Sequence, residues 1–164
     1  MVAVNPPTVM GPGDARMSVG VLFREVAKRR VPRVSRGGFT VCDVRDVARG
    51  HVLAFEKGRP GERYITGGTD VRPAELMERI ASSLDVEPAR MRVPVFAVGM
   101  GARALRLLER LGLRASAAAA HVWLSTRWVF HSSEKARREL GYATLPLDDC
   151  LEDSIRWYRE KGLV

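Results

Sequence analysis

Short apolar runs punctuate this chain, and each one ends at a residue that cannot continue it. Val2 and Val4 predict a strand that stops at Pro6-Pro7, because proline has no N–H to give a ladder. A Gly11-Pro12-Gly13-Asp14 loop follows. Val19, Leu22, Phe23, Val26 and Ala27 then recur at helical spacing and predict a helix over about 18–30. Gly37-Gly38 turns the chain into a strand at 39–42. Asp46 is the expected cap of a helix that runs to Lys57, with Val47, Leu53 and Ala54 inward and Gly58 as its C′ residue. A strand at 63–66 leads to Gly67-Gly68. Pro73 suits the first turn of a helix through Leu84, whose apolar face is Leu76, Ile80 and Leu84. Beyond it the pattern predicts a short strand at 91–95, a long helix at 96–111 and a strand at 128–130. Ser132 or Ser133 caps a helix to Leu140, stopped by Gly141. The last helix starts near Asp148 and ends at Lys161-Gly162. Strands alternating with helices, with no hairpin signal between them, place the chain in the α/β class.

Composition narrows the function classes. At 164 residues the chain suits one domain, 1–164, with a sizeable core. A hydrophobic share of 46% with 28% charged residues excludes a disordered composition, and no apolar run reaches the ~20 residues of a membrane helix. The start of the chain has no basic segment followed by an apolar stretch, and Cys42 and Cys150 lack CxxC or Cys/His spacing. Both features point to a cytoplasmic protein with reduced, packed thiols. The net charge of +8 raises the question of nucleic acid. Of the 27 basic residues 23 are Arg, scattered and usually beside an acid, whereas a phosphate backbone calls for a concentrated stripe. The densest cluster, Lys28-Arg29-Arg30 with Arg33 and Arg36, reads as a helix end whose cations complement the dipole. No nucleic-acid partner is expected.

Two motifs resemble catalytic signatures and fail on chemistry. Gly99-Met100-Gly101-Ala102-Arg103-Ala104 spells GxGxxA before a helix. A dinucleotide site also needs an acid for the ribose about 20 residues on, and none occurs before Glu134. Tyr158 and Lys161 are three apart. The tyrosine–lysine pair that lowers a phenol's pKa requires four, which stacks the ammonium beside the ring. The residues four after Tyr64, Tyr142 and Tyr158 are Gly68, Pro146 and Gly162, so no tyrosine here has that partner. Tyr158 is instead expected to pack with Leu151, Ile155 and Trp157. His51, His121 and His131 show no metal spacing, and neither GxSxG nor a P-loop occurs. No catalytic residue and no metal ligand are assigned.

Several strings, taken in order, resemble one family. Residues Asn5-Pro6-Pro7 through Gly11-Pro12-Gly13-Asp14 are similar to the "NP…GPGD" segment of extended short-chain dehydrogenases/reductases. Asp43-Val44-Arg45-Asp46-Val47-Ala48 resembles the "DVRDVA" motif of the dihydroflavonol-reductase and cinnamoyl-reductase relatives. Gly61-Glu62-Arg63-Tyr64-Ile65-Thr66-Gly67-Gly68 resembles the "GERYILGG" strand of hopanoid-associated sugar epimerases. Ser133-Glu134-Lys135-Ala136 through Glu139-Leu140-Gly141-Tyr142 is similar to the family's "S.KA.rELGY" helix, and the ending at Trp157-Tyr158 to its last helix.

The resemblance implies the C-terminal part of an NAD(P)-dependent epimerase/dehydratase. That part comprises the last strands of a Rossmann-type parallel sheet and the small substrate-binding subdomain. In the family the glycine-rich cofactor loop and the Tyr-x-x-x-Lys precede the "NP…GP" segment, so the chain is expected to be a fragment, inactive alone. By the same likeness Pro6 and Thr8 would contact the nicotinamide end of NAD or NADP, Ser18 the cofactor further along, and Asn5 the substrate. Nucleotide-sugar epimerases place an Arg where this chain has Phe39, and no later Arg-x-Gly-Asp precedes Trp128. Arg36 and Arg127 are the nearby substitutes for holding an anionic substrate, although a shifted guanidinium is not equivalent in a bidentate site. These departures favour a reductase-like or hopanoid-associated substrate, a sugar or a carbonyl/alcohol. The alternative is a non-catalytic ligand-binding or regulatory module that pairs with a separate cofactor-binding half or with a second copy.

Overall fold

The computed structural model describes residues 1–31, 33–34, 37–88, 92–93, 96–97, 100–101 and 127–164. Proline and glycine keep the strands short, and the strands group into small sheets. β1 (Ala3–Asn5) runs parallel to β5 (Arg63–Ile65), with Val4 opposite Tyr64. The central strand of the second sheet is β4 (Gly38–Asp43), all of whose residues but Phe39 are buried. It pairs in parallel with β2 (Thr8–Met10) and β8 (Trp128–Val129), and antiparallel with β6 (Thr69–Val71). A third parallel pair joins β3 (Arg33–Val34) to β7 (Arg92–Val93).

Among the described residues five helices cover these strands. They are α1 (Gly20–Ala27), α2 (Val44–Lys57), α3 (Pro73–Ser83), α4 (Glu134–Leu140) and α5 (Leu147–Glu160). The larger core gathers Met10, Val41 and Val71 from the sheet with Phe23, Leu76, Ile80, Leu151, Ile155 and Tyr158 from α1, α3 and α5. The smaller one packs Tyr64, Ala54, Ala136, Leu140 and Tyr142 around the β1–β5 pair, with Val2 and Val4 against it. Each fully buried leucine stabilises the fold by roughly 1.5–3 kcal/mol of transfer free energy, so either core tolerates little truncation.

The α/β class stands, and most expected elements lie where the pattern put them. Four details differ. Three strands, β2, β3 and β6, went unread, and the β4–β6 pair is antiparallel where only parallel pairing was expected. The cap of α2 is Asp43, whose carboxylate accepts from the Arg45 N–H at 2.7 Å; Asp46 sits inside the first turn and is buried. Gly58 closes α2 with φ −67°, extended and not left-handed, and its lack of a Cβ matters because one would meet the Ala54 carbonyl at 2.3 Å. At α4 the backbone cap is Ser133, but the side chain that accepts from the Glu134 N–H is that of Ser132, at 3.3 Å. The strand expected at 91–95 appears as Arg92–Val93, and of the helix expected at 96–111 residues 96, 97, 100 and 101 are described and helical.

Candidate functional site

The prolines that end β1 carry the chain from one sheet into the next. Asn5, opposite Ile65, is the last residue of β1, and both strands end there in the same direction. Carboxyl ends of parallel strands are where open α/β sheets bind ligands. Thr8 then starts β2 opposite Val41. On that edge of β4 the preceding positions are taken by β8, with Trp128 opposite Gly38 and Val129 opposite Phe39. Because β6 pairs with Phe39–Val41, β2 and β8 share the other edge of β4, end to end. Val129 and Thr8 face β4 residues two apart, which is about 7 Å of strand rise.

Thr40 ties this junction together. Its hydroxyl donates to Asp70 at 2.5 Å and accepts from the His131 N–H at 2.8 Å, so β4, β6 and the exit of β8 meet at one buried side chain. The exit of β5 passes the same place, since a Cβ at Gly67 would lie 2.8 Å from the His131 carbonyl and 3.3 Å from Thr40 Cγ2. The seam therefore brings Asn5, Pro6 and Thr8 beside residues 66–67 and 128–131. Asn5 and Pro6 are exposed and Thr8 is half-buried.

A second cluster organises the loop after β2. Asp14 reaches the amino end of α1, where helix N–H groups have no partner of their own. Oδ1 accepts from the Ser18 N–H and hydroxyl, both at 2.8 Å. Oδ2 accepts from the N–H of Val19 (2.9 Å) and Gly20 (2.8 Å) and from the Tyr158 hydroxyl (3.1 Å). Partial burial tends to raise this carboxyl, but the bonds from Gly20, Ser18 and Val19 outweigh it and hold the group below the usual aspartate value. Burial, reinforced by the Asp14 charge, pushes the Tyr158 phenol up. That is the opposite of what an acid–base phenol needs. Tyr158 packs as expected, its ring 5.4 Å from Trp157 and 5.1 Å from Phe23.

The carboxylates of the "DVRDVA" segment are spent on structure. Desolvation tends to raise Asp43, and bonds from the Arg45 side chain and N–H hold it below its ordinary value. Arg45 also reaches Asp153 at 2.7 Å, which fastens α2 to α5. Asp46 pairs with Arg49 and accepts from the Leu145 N–H at 2.8 Å. Cys42 and Cys150 are free and buried, as expected, and line one small cavity with Asp43 and Asp46. Burial and those carboxylates push the Cys42 thiol up to about 12.

The six residues expected at the site are only partly gathered. Asn5, Pro6 and Thr8 lie together at the seam. Arg127 sits at the start of β8, its carbonyl accepting from the Gly38 N–H at 2.9 Å, about 13 Å from Thr8 along the edge. Ser18 lies apart, beyond the carboxyl end of β2, with its hydroxyl on Asp14. Arg36 falls outside the described residues, as does His121. Asp14, Thr40 and Asp70 were missed. Asp14 had a legible signal, an aspartate just ahead of a helical run; the pairing of Thr40 with Asp70 depends on a strand that the sequence did not reveal. Among the described residues no group of His, Cys, Asp or Glu could hold a metal ion, and no helix is long and apolar enough to cross a membrane.

Comparison with known proteins adds an independent line. No family model matches the chain. It is 27% identical over its full length to a putative dihydroflavonol 4-reductase of Synechocystis, of which it covers 50%. A solved nucleoside-diphosphate-sugar epimerase from Pseudomonas aeruginosa superimposes with a TM-score of 0.76 at 31% identity, over 99% of this chain and 49% of that one. The Bordetella bronchiseptica enzyme WbmF, solved with NAD+, shares the fold at 22% identity, with a TM-score of 0.66 over 98% of this chain and 46% of that one. The chain thus spans about half the length of the relatives it matches.

Proposed function

We propose a role for this chain on the premise that it belongs to the extended short-chain dehydrogenase/reductase family, in its epimerase/dehydratase branch. It supplies the substrate-side and nicotinamide-side contacts of an NAD(P)-dependent epimerase/dehydratase or dihydroflavonol-reductase-like oxidoreductase, and it is inactive alone. Asn5 faces the substrate, and Pro6 and Thr8 the nicotinamide end. Ser18, whose oxygen retains an acceptor site, contacts the cofactor further along, with Arg36 and Arg127 on the substrate side. The seam suits only that end of the cofactor, since the described residues hold no glycine-rich loop for a pyrophosphate. NAD(P) would supply the hydride transfer. This chain's residues would position the ring and the reacting alcohol or carbonyl against it.

The observation that supports the reading most is the open edge of β1. Ala3 and Asn5 bond to β5 through Ala3 N–H to Glu62 and Asn5 C=O to the Thr66 N–H. In a parallel ladder the alternate residues, Val2 and Val4, then turn their N–H and C=O outward. No described strand pairs with that side. On α2, which packs against β1, Val52 (56% exposed) and Phe55 (91%) lie on one turn and stay in solvent. Unpaired strand groups beside exposed apolar side chains fit a further strand and helix, the kind of unit a cofactor-binding half would bring. The alternative, a binding or regulatory module that pairs with such a half, draws on the same edge and differs in lacking turnover.

The test is reconstitution with a cofactor-binding half that carries GxxGxxG and YxxxK, for instance the remaining half of the Synechocystis relative. Association, NAD(P) binding and turnover are expected from the mixture and not from this chain alone. Phe55→Lys should weaken association without unfolding the chain. Turnover by the chain alone, or association indifferent to Phe55→Lys and to Val4→Pro, would sink the proposal. Association without turnover would select the regulatory alternative.

A further inference from the structure

Trp128, in β8, and Phe130, just past its end, lie two residues apart and bring their rings together over Gly38. They remain 53% and 48% exposed, with ring centroids 5.6 Å apart. The floor beneath them is Gly38. A Cβ there would come within 2.5 Å of Phe130 Cζ and 2.9 Å of Trp128 Cε3, so the rings rest directly on the β4 backbone. The antiparallel register that sets Phe39 opposite Val71 brings Arg72 beside Gly38, and its guanidinium lies 5.8 Å from the Trp128 ring centroid. Arg72 is exposed and has no carboxylate partner among the described residues; the adjacent Asp70 is engaged by Thr40. Arg127, at the start of the strand, already has another interaction.

We propose that Arg72, Trp128 and Phe130 form a stacking ledge for a planar aromatic molecule that carries a single acidic oxygen group, a carboxylate or phenolate. Two exposed rings on a glycine floor, tilted 57° to each other, offer apolar faces of the kind aromatic ligands occupy edge-on or offset. A guanidinium held over one ring, 5.8 Å from its centroid, can turn its N–H fork to one carboxylate or phenolate. Among the described residues beside the rings, Arg72 is the cation without a carboxylate partner, which matches one negative charge, whereas a diphosphate would bring at least two. Trp128, opposite Gly38, stands about 10 Å from Thr8, opposite Val41, along the shared edge. This deepens the proposed function by naming a ring class for the substrate, and it rests on that reading only in taking the ligand to be the substrate.

The test is titration of the 164-residue chain with 2-naphthoate, followed by ligand-detected NMR, with 2-naphthalenemethanol and UDP as comparison probes. Naphthoate is expected to bind more tightly than the neutral alcohol. Trp128→Ala should weaken it about tenfold, while Trp128→Phe stays within about threefold, since the aromatic face is what counts. Arg72→Gln should abolish the preference for naphthoate over the alcohol. Circular dichroism confirms that each variant is folded. Binding unchanged in folded Trp128→Ala, or no preference for the acid in the parent chain, overturns the proposal. Binding of UDP that depends on Trp128 and excludes naphthoate would assign the ledge to a nucleotide and overturn it as well. Reconstitution with a cofactor half can fail while this binding succeeds, so the two readings are separable.

Discussion

Asp14→Ala gives the sharpest test of how the loop after β2 is held. The substitution removes the acceptor of three backbone N–H groups, from Ser18, Val19 and Gly20, and of the Ser18 and Tyr158 hydroxyls. Loss of a helix cap costs about 1 kcal/mol. Tyr158 is 1% exposed, so its hydroxyl would be left without a partner in the core, at about 1–3 kcal/mol. Water can reach the half-buried loop and recover part of the first contribution, which leaves about 2–3 kcal/mol in all. At this chain length each kcal/mol shifts Tm by roughly 2–4 °C, so Tm should fall by roughly 4–12 °C. Asp14→Asn keeps one acceptor oxygen and should fall between. Thermal unfolding followed by circular dichroism and by tryptophan fluorescence, with coincident transitions, reads both values. Tyr158→Phe removes the stranded hydroxyl, so in Asp14→Ala/Tyr158→Phe the combined loss should fall short of the sum by about 1 kcal/mol. A Tm within 1–2 °C of the parent for Asp14→Ala, or strict additivity in the double variant, would refute the anchoring role.

The same carboxylates predict an acid limb. Asp14 and Asp43 release their protons at lower pH when folded than in the unfolded chain, so the unfolded state binds more protons between the two values. Their contribution is present above the ordinary aspartate value and lost as pH falls below about 4. Urea unfolding from pH 6 to 3 should show that loss, and it should be smaller in Asp14→Asn. Cys42 and Cys150 should react with a thiol reagent at pH 8 only as fast as the chain unfolds, because the Cys42 thiol lies near 12 and both side chains are buried; rapid labelling of the folded chain would contradict this. Gly50→Ala should destabilise by about 1–3 kcal/mol, since its Cβ would lie 2.5 Å from Thr66 Cγ2, and calorimetry would measure it. Phe55→Lys should leave the chain's own stability within about 0.5 kcal/mol and raise its solubility.

The helices were legible because each carried its own periodicity. Leu76, Ile80 and Leu84 at helical spacing behind Pro73 placed α3 to within a residue, and Gly141 with φ 72° ends α4 where its sequence position required. What local pattern could not show is what the fold decides at a distance. Thr8–Met10 and Thr69–Val71 are three residues long, too short to establish alternation, and they become strands only because β4 offers them partners on its two edges. The cap of α2 was misplaced by one turn for a related reason. Asp43 and Asp46 are equally good caps by type, and what separates them is that Asp46 is taken up by Arg49 and by the Leu145 N–H, 99 residues away.

The candidate site divides along the same line. Asn5, Pro6 and Thr8 came from the family resemblance; the chemistry of proline marks only the strand end at which they sit. The ledge was not readable, since Trp128 and Phe130 at i and i+2 look like any half-buried strand. They become a surface only when Gly38 lies beneath them and Arg72 arrives from the antiparallel neighbour. That dependence also makes the assignment exposed to refutation at a third position. Gly38→Ala leaves both rings and the guanidinium in the chain but lifts the rings off the strand. A ledge defined by stacking geometry should then lose naphthoate binding about as much as Trp128→Ala does, whereas mere apolar exposure would leave binding intact.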